Sequence, residues 1–209
     1  MPAPLVDVNV NDDANLRLLN HVNLMVDSFV ANADADDLRA TVRALLASTS
    51  PSTAVAFTKA ARARLTKTHT AHVAPGSQLF APDPSHPGFV TPGPDITDVL
   101  RHARALYGSG LGLAGFELLL EVVQATRGLR WAENGPTGDL LAVIDADCCQ
   151  AIQSAKEEID GGRAGHPDRV RATIARARVV LGQSAKDVAT WSSDFPFERA
   201  LTSIEVWKV

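Results

Sequence analysis

The chain has only two cysteines, Cys148 and Cys149, and they are adjacent in the sequence. In the helix that the surrounding pattern predicts, their side chains diverge by about 100° and cannot form a disulfide with each other. A small secreted fold held together by disulfides is therefore excluded, and an intracellular compartment is expected. Whichever cysteine faces inward is expected to be a small apolar core residue.

Long apolar runs are also missing. The longest, 111–123, is shorter than the roughly 18 residues that span a bilayer, and Glu117 and Glu121 interrupt it. The N-terminus has no basic stretch followed by an apolar one, so we expect no secretory signal. These features predict a cytoplasmic protein that has no membrane partner, and they leave a nuclear location open.

A strong positive charge is absent as well. The net charge is −4, whereas a protein that coats nucleic acid or an anionic membrane needs a basic field. The remaining composition is ordinary, with 45% hydrophobic and 21% charged residues, close to an average soluble globular protein. We therefore expect a chain that folds around one sizeable core or two small ones.

Apolar residues at helical spacing predict three helices between residues 12 and 67. Asp34 or Asp36 is suited to cap the second helix, and Ser50 followed by Pro51 predicts the start of the third. The first helix carries Leu16, Leu19, Val22, Val26, Phe29 and Val30 at this spacing, and the second carries Leu38, Val42, Leu45 and Leu46 on one side. The third is expected to bury Ala54, Phe57, Ala61 and Leu65.

The segment 68–94 is too rich in proline and glycine to form a regular helix. Connections longer than about 15 residues are uncommon in compact domains and tend to be functional or mobile. We interpret this segment as a lobe boundary, a lid or a linker, and its composition does not choose among the three.

The C-terminal half of the chain carries the strongest helical pattern. One helix follows Asp95, and the next, 111–127, is apolar nearly all round and is expected to be the central buried helix. Helices at 137–160 and 167–191 are joined by the short segment 161–166, which predicts an antiparallel hairpin whose arms pack as neighbours. The first arm is mainly acidic and the second mainly basic, which favours that pairing.

Both ends of the chain alternate as strands do, which predicts a small ribbon that pairs them. The alternating residues are Val6, Val8, Val10, Ile204, Val206 and Val209. The predicted fold class is therefore all-α: one domain, 1–209, built as a bundle of six or seven helices with a long C-terminal antiparallel helical hairpin and a short terminal β ribbon. Its lobes are expected at 12–67 and 95–209, joined by 68–94.

Glu117 and Glu121 are the candidate core carboxylates, because they lie one turn apart on the most apolar predicted helix. Like charges at that spacing repel unless a cation neutralises them. An arginine of the basic hairpin arm would supply an ion pair, whereas a carboxylate pair in a bundle can also serve acid–base or metal chemistry. A di-metal bundle also needs Glu-x-x-His motifs, and the sequence has none. We therefore prefer the ion pair and assign no catalytic or metal-binding residue.

Two other patterns have both a chemical and a structural interpretation. The glycine-rich run 108–115 resembles a phosphate-binding loop, but it follows a helix and lacks the lysine of a P-loop, which favours a helix-to-helix turn. His69, His72, His86 and Asp83 carry groups that bind metals, yet they are irregularly spaced in a proline-rich loop, which favours ordinary polar loop residues. No cofactor is predicted.

Helices between residues 36 and 67 carry several basic side chains, of which Arg62, Arg64 and Lys67 are candidate contacts to phosphate or to an acidic partner. In a DNA-reading helix pair, the start of the second helix contacts the base edges. Here that start, 51–56, offers little that could do so. Nucleic-acid binding is therefore an alternative function and not the expected one.

Trp207 is a further candidate partner contact, because aromatic residues anchor interfaces. We prefer the interpretation that Trp207 packs back on the body of the protein.

No catalytic motif is recognisable in the sequence. The leading hypothesis is a non-enzymatic helical protein–protein interaction module, a subunit or adaptor, that binds another protein or further copies of itself. The alternatives are an enzyme with a dispersed active site around Glu117 and Glu121, and a nucleic-acid-associated factor that uses helices 36–67.

Overall fold

A computed structural model describes residues 25–68, 72–192 and 194–208. Contacts divide the chain into two compact units, Met1–Val55 and Ala56–Val209. The predicted division into lobes 12–67 and 95–209 stays a prediction. Several predicted positions lie outside the described residues, namely Val6, Val8, Val10, Leu16, Leu19, Val22, His69 and Val209.

The first unit is helical wherever the structure describes it, apart from short turns. Helix α1 covers the described residues 25–32, α2 is Ala35–Ser48, and α3, Pro51–Thr68, begins in this unit. Asp34 takes the N-cap position of α2, and Pro51 begins α3, as predicted.

None of the described apolar positions predicted on these first helices is fully buried, and the expectation that the third helix buries Ala54 and Phe57 is wrong. Helices α2 and α3 contain no buried residue, and Phe29, Leu45 and Phe57 are about half exposed. An amphipathic pattern shows that a helix has an apolar side, but it does not show that another element covers it. Leu65, near the end of α3, belongs to the second unit and packs against the core of that unit.

The second unit contains the end of α3, a small ribbon and five more helices. In chain order they are β1 (Phe80–Pro82), β2 (Val90–Pro92), α4 (Ile96–Gly108), α5 (Gly112–Ala125), α6 (Pro136–Asp160), α7 (Pro167–Val188) and α8 (Glu198–Glu205). The predicted all-α class is confirmed. In the part of the chain that the structure describes, no helix is long and apolar enough to cross a membrane.

Helix α5 is the central buried helix, as its sequence predicts. Helices α4, α6 and α7 all pack on it. Its Phe116 and Leu119 are fully buried, together with Leu141 of α6 and Leu181 of α7. Each such side chain contributes about 1.5–3 kcal/mol when it leaves water, so this layer dominates the stability of the unit.

Glycines let α5 approach its neighbours closely. A Cβ atom at Gly112 would lie 2.1 Å from the backbone nitrogen of Ala155 in α6. One at Gly115 would lie 3.0 Å from the carbonyl oxygen of Ala103 in α4. The glycine-rich run therefore serves helix packing on two sides of α5.

Helices α6 and α7 follow each other as predicted, but neither is the main packing partner of the other. Each packs mainly on α5 and α8. Glu117 of α5 meets Arg169 of α7, and Glu121 meets Arg176 further along, so α5 and α7 run in the same direction. The length of the connection suggested neighbours, but the apolar surface of α5 separates the two arms.

The antiparallel ribbon of β1 and β2 lies inside the proline-rich segment, with Ala81 opposite Thr91. It is fixed to the body, because the Val90 N–H donates to the carbonyl oxygen of Arg130 at 2.8 Å. The C-terminal strand that alternation predicted is wrong, because Ile204 belongs to α8 and is buried with Ala200, one helical turn away.

Candidate functional site

Glu117 is held by helix α7. Its Oε2 accepts from Arg169 Nη2 at 2.9 Å and its Oε1 from Thr173 Oγ1 at 2.7 Å. Burial by itself raises the pKa of Glu117, but the hydrogen bonds from Arg169 and Thr173 outweigh it and leave the pKa below its ordinary value. The ion pair with the basic arm that the sequence predicted is therefore present.

Glu121 joins α5 to the segment that leads into the ribbon. Its Oε1 lies 2.5 Å from His72 Nδ1, and its Oε2 accepts from the Val73 N–H at 2.7 Å. Arg176 of α7 approaches more loosely, with a nitrogen–oxygen distance of 3.7 Å. Both candidate carboxylates thus face arginines of one helix, but only Glu121 also binds the proline-rich segment.

A cleft of about 670 Å³ opens beside Glu121, between the segment that leads into β1, the end of α5 and the middle of α7. We call it the Arg176 cleft, after its single cationic lining residue. Its lining consists of Val73, Ser77, Gln78, Leu79, Phe80, Glu121, Gln124, Ala125, Leu129 and Arg176. It combines an apolar wall with one carboxylate and one guanidinium.

A second cleft, of about 550 Å³, lies on the other side of the segment 73–77 and is lined by Asp95, Asp98 and His102, among others. Asp95 Oδ2 already accepts from the Gln78 N–H at 2.7 Å, and Asp98 pairs with Arg101. The carboxylates of this cleft therefore stabilise local structure.

At the start of α5, where the glycine-rich run resembles a phosphate-binding loop, an acid of the protein itself binds the backbone. Glu158 of α6 is buried, and its Oε2 accepts from the Leu113 N–H at 3.0 Å. Burial raises the pKa of Glu158, and the hydrogen bond from Leu113 partly offsets that shift. The structural interpretation of the glycine-rich run is therefore the correct one.

His72 and His86, the described histidines of the proline-rich segment, have different partners. His72 pairs with Glu121, whereas His86 Nδ1 lies 3.1 Å from Asp83 Oδ2 in the ribbon turn. Among the residues that the structure describes, no three His, Cys, Asp or Glu side chains are arranged to hold a metal ion.

Trp207 packs on the body of the second unit and is 7% exposed. Its carbonyl oxygen accepts from Arg178 Nη2 at 3.0 Å, and Lys156 Nζ lies 5.5 Å from its ring centre. A role for Trp207 in partner binding stays a prediction, and most of its indole surface is already used within the fold.

Among the basic candidates on α3, Arg62 is half-buried, while Arg64 and Lys67 are exposed. At 100° per residue, the positions from Lys59 to Lys67 that carry basic side chains spread over roughly 200° of the helix circumference. They therefore form a broad basic surface and not one narrow stripe.

Sequence reasoning missed the two buried acids of α6, Asp145 and Asp147, which are 3% and 7% exposed. Arg199 Nε donates to Asp145 at 2.7 Å, and Arg104 Nη2 donates to Asp147 at 2.7 Å. The available signal was their position directly beside the apolar stripe of α6. Their partners lie on α8 and α4, so these pairs fix the helices around α6.

Tyr107 completes the Asp147 pair, because its hydroxyl donates to Asp147 Oδ1 at 2.8 Å. Burial, with this hydrogen bond, raises the pKa of Tyr107 to about 12.

In comparisons with known proteins, no family model, curated protein or solved structure matches the chain.

Proposed function

We propose that the chain is a non-enzymatic helical protein–protein interaction module and that its first unit carries the contact surface. The observation that carries the proposal is that none of the described residues 25–55 is buried. Large apolar side chains of this unit are instead 45–66% exposed. We call them the N-terminal apolar surface: Met25, Val26, Phe29, Val30, Leu45 and Val55.

The physical argument concerns the stability of short helices. Helices shorter than about 12–15 residues are marginal in water, and most of their stability in proteins comes from burying an apolar face. Helix α2 has 14 residues and buries none of them. Exposed apolar side chains mark an interaction site where they lie together. A protein partner that covers the N-terminal apolar surface would supply the missing burial.

The carboxylates of α5 support a non-enzymatic role. A general acid or base works best with a pKa near the working pH, which for a glutamate requires an upward shift. The pKa of Glu117 is shifted downward, and Glu121 already accepts two hydrogen bonds. Ion pairing is a sufficient reason for both residues.

The test introduces a charge into the N-terminal apolar surface. Val30→Glu and Leu45→Glu place a carboxylate in the surface, and Ala31→Glu and Ala47→Glu place the same charge at small exposed residues of the same helices. Crosslinking in native lysate, followed by mass spectrometry, measures the partners, and calorimetry measures the melting temperature. Partner crosslinks should be lost only in Val30→Glu and Leu45→Glu, with the melting temperature unchanged.

Two results contradict the proposal. Equal crosslinking in all four variants would place the contact elsewhere. A large fall in melting temperature in Val30→Glu and Leu45→Glu alone would show that the N-terminal apolar surface is covered within the chain itself.

A further inference from the structure

We propose that the Arg176 cleft binds an apolar monocarboxylate, a small molecule with a hydrocarbon body and one carboxylate, and that Arg176 anchors the carboxylate. This site lies in the second unit and is separate from the N-terminal apolar surface. The proposal therefore adds a ligand to the interaction function and does not depend on it.

The apolar wall of the cleft suits a hydrocarbon body. Leu79 is almost fully buried at its base, and Val73, Phe80 and Leu129 are half-buried around it. The volume of about 670 Å³ falls within the range of roughly 300–1,000 Å³ that is usual for small-molecule sites. Such sites are mostly apolar, with a few polar groups that orient the ligand.

Arg176 has hydrogen-bonding capacity that the protein does not use. A guanidinium offers five N–H donors. The ion-pair distance to Glu121 is 3.7 Å, which is too long for a hydrogen bond. Within the described part of the chain, no hydrogen bond is formed by this guanidinium. The side chain is 37% exposed, so a ligand can reach it.

The neighbouring arginine of the same helix shows the contrast. Arg169 lies two turns before Arg176 and so on the same side of α7. It donates to Glu117 at 2.9 Å and is committed to that pair. The ion pair of Arg176 with Glu121 is longer, at 3.7 Å, and leaves planar donors that match a carboxylate in two parallel hydrogen bonds.

Glu121, the other charged lining residue, is occupied. Its two oxygens accept from His72 and from the Val73 N–H. An amine ligand would have to displace these contacts to reach it. A carboxylate bound to Arg176 leaves them in place, so the unused donors of Arg176 favour an anionic ligand over a cationic one.

The test compares octanoate, octanol and octylamine, which share one hydrocarbon chain, by isothermal titration calorimetry on the full chain. Octanoate should bind about 10- to 100-fold more tightly than octanol, the gain expected for a charge-assisted hydrogen bond. Octylamine should bind more weakly than octanoate. Arg176→Met should abolish the preference for octanoate, and Arg171→Met, on the exposed side of α7, should retain it.

A second variant, Ala125→Phe, fills the cleft from an exposed position and should abolish octanoate binding without lowering the melting temperature. The proposal is overturned if octanoate fails to bind at millimolar concentration, or if the three ligands bind equally. It is also overturned if octylamine binds best, or if neither Arg176→Met nor Ala125→Phe weakens octanoate.

Discussion

The carboxylate of Glu158, near the end of α6, accepts a hydrogen bond from the backbone N–H of Leu113 at the start of α5, with a nitrogen–oxygen distance of 3.0 Å. Leu111 occupies the N-cap position of α5, and its side chain has no acceptor for these amides. Glu158 therefore caps α5 from another helix. This contact requires the two backbones to be close, and Gly112 provides that approach.

Gly112→Ala should destabilise the second unit by about 3 kcal/mol, because the new Cβ would overlap the backbone of Ala155. Gly182→Ala, inside α7, is the matched control. A Cβ there meets nothing within 4 Å, so the change should stabilise by about 0.5–1 kcal/mol. Urea unfolding followed by circular dichroism measures both values, and equal midpoints would show that the helices are not so close.

Leu181→Asp should unfold the second unit or lower its stability by several kcal/mol, since Leu181 is fully buried and the carboxylate would have no partner there. Val179→Asp makes the same kind of change on α7 at a side chain that is 55% exposed, and it should cost less than about 1 kcal/mol. Thermal melting of the two variants separates packing from helix propensity. A similar melting temperature for both would mean that α7 does not pack on α5 through Leu181.

Tyr107 should ionise at about pH 12 in the folded protein and near its ordinary value of 10.0 when unfolded. It is the single tyrosine of the chain, so absorbance at 295 nm reports it alone. Because the folded state holds the phenolic proton more tightly, stability should fall as pH rises above 10. Tyr107→Phe should lose less stability in that range, and a folded-state titration at pH 10 would contradict the contact with Asp147.

Glu117→Gln should lower stability at pH 7 by about 1–3 kcal/mol, because it weakens the contacts with Arg169 and Thr173. The pKa of Glu117 is lowered by folding, so its contribution is present above its ordinary value of 4.5 and is lost as pH falls through the folded value. The difference in the free energy of unfolding between wild type and Glu117→Gln should therefore shrink as the pH falls. Glu157→Gln, at an exposed position, is the control and should change stability at pH 7 by less than about 0.5 kcal/mol.

The long helices of the C-terminal half were predictable because local signals mark them. Pro136 and Pro167 occupy first turns of α6 and α7, and Gly161 follows the end of α6. Local signals also identified α5 as buried. Local signals do not show which helices contact each other, because the packing partners of α7 are set by apolar surfaces that are distant in sequence.

The ribbon of β1 and β2 was not predicted from the sequence, because the prolines were interpreted only as residues that break helices. Pro82 and Pro92 lie at the ends of β1 and β2. A two-stranded ribbon has only edge strands, and those tolerate proline. At the C-terminus the opposite error arose, because Ile204 and Val206 alternate over too few residues to exclude a helix end.

The candidate site was predictable in part. The ion pairs of Glu117 and Glu121 with arginines of α7 followed from like charges on an apolar helix. The Arg176 cleft could not be predicted, since it is formed by the folded course of the segment before β1. The pair of Asp145 with Arg199 could not be predicted either, because it joins residues 54 positions apart in the sequence.

The central position of α5 has a consequence for biosynthesis. The most apolar helix of the chain leaves the ribosome before α6 and α7, two of the three helices that cover it. Because α5 and α7 run in the same direction, the 25-residue α6 must first carry the nascent chain back by roughly 37 Å. Until then the face of α5 that α7 covers stays in contact with water or with a chaperone, which makes the nascent chain most prone to aggregation in that interval.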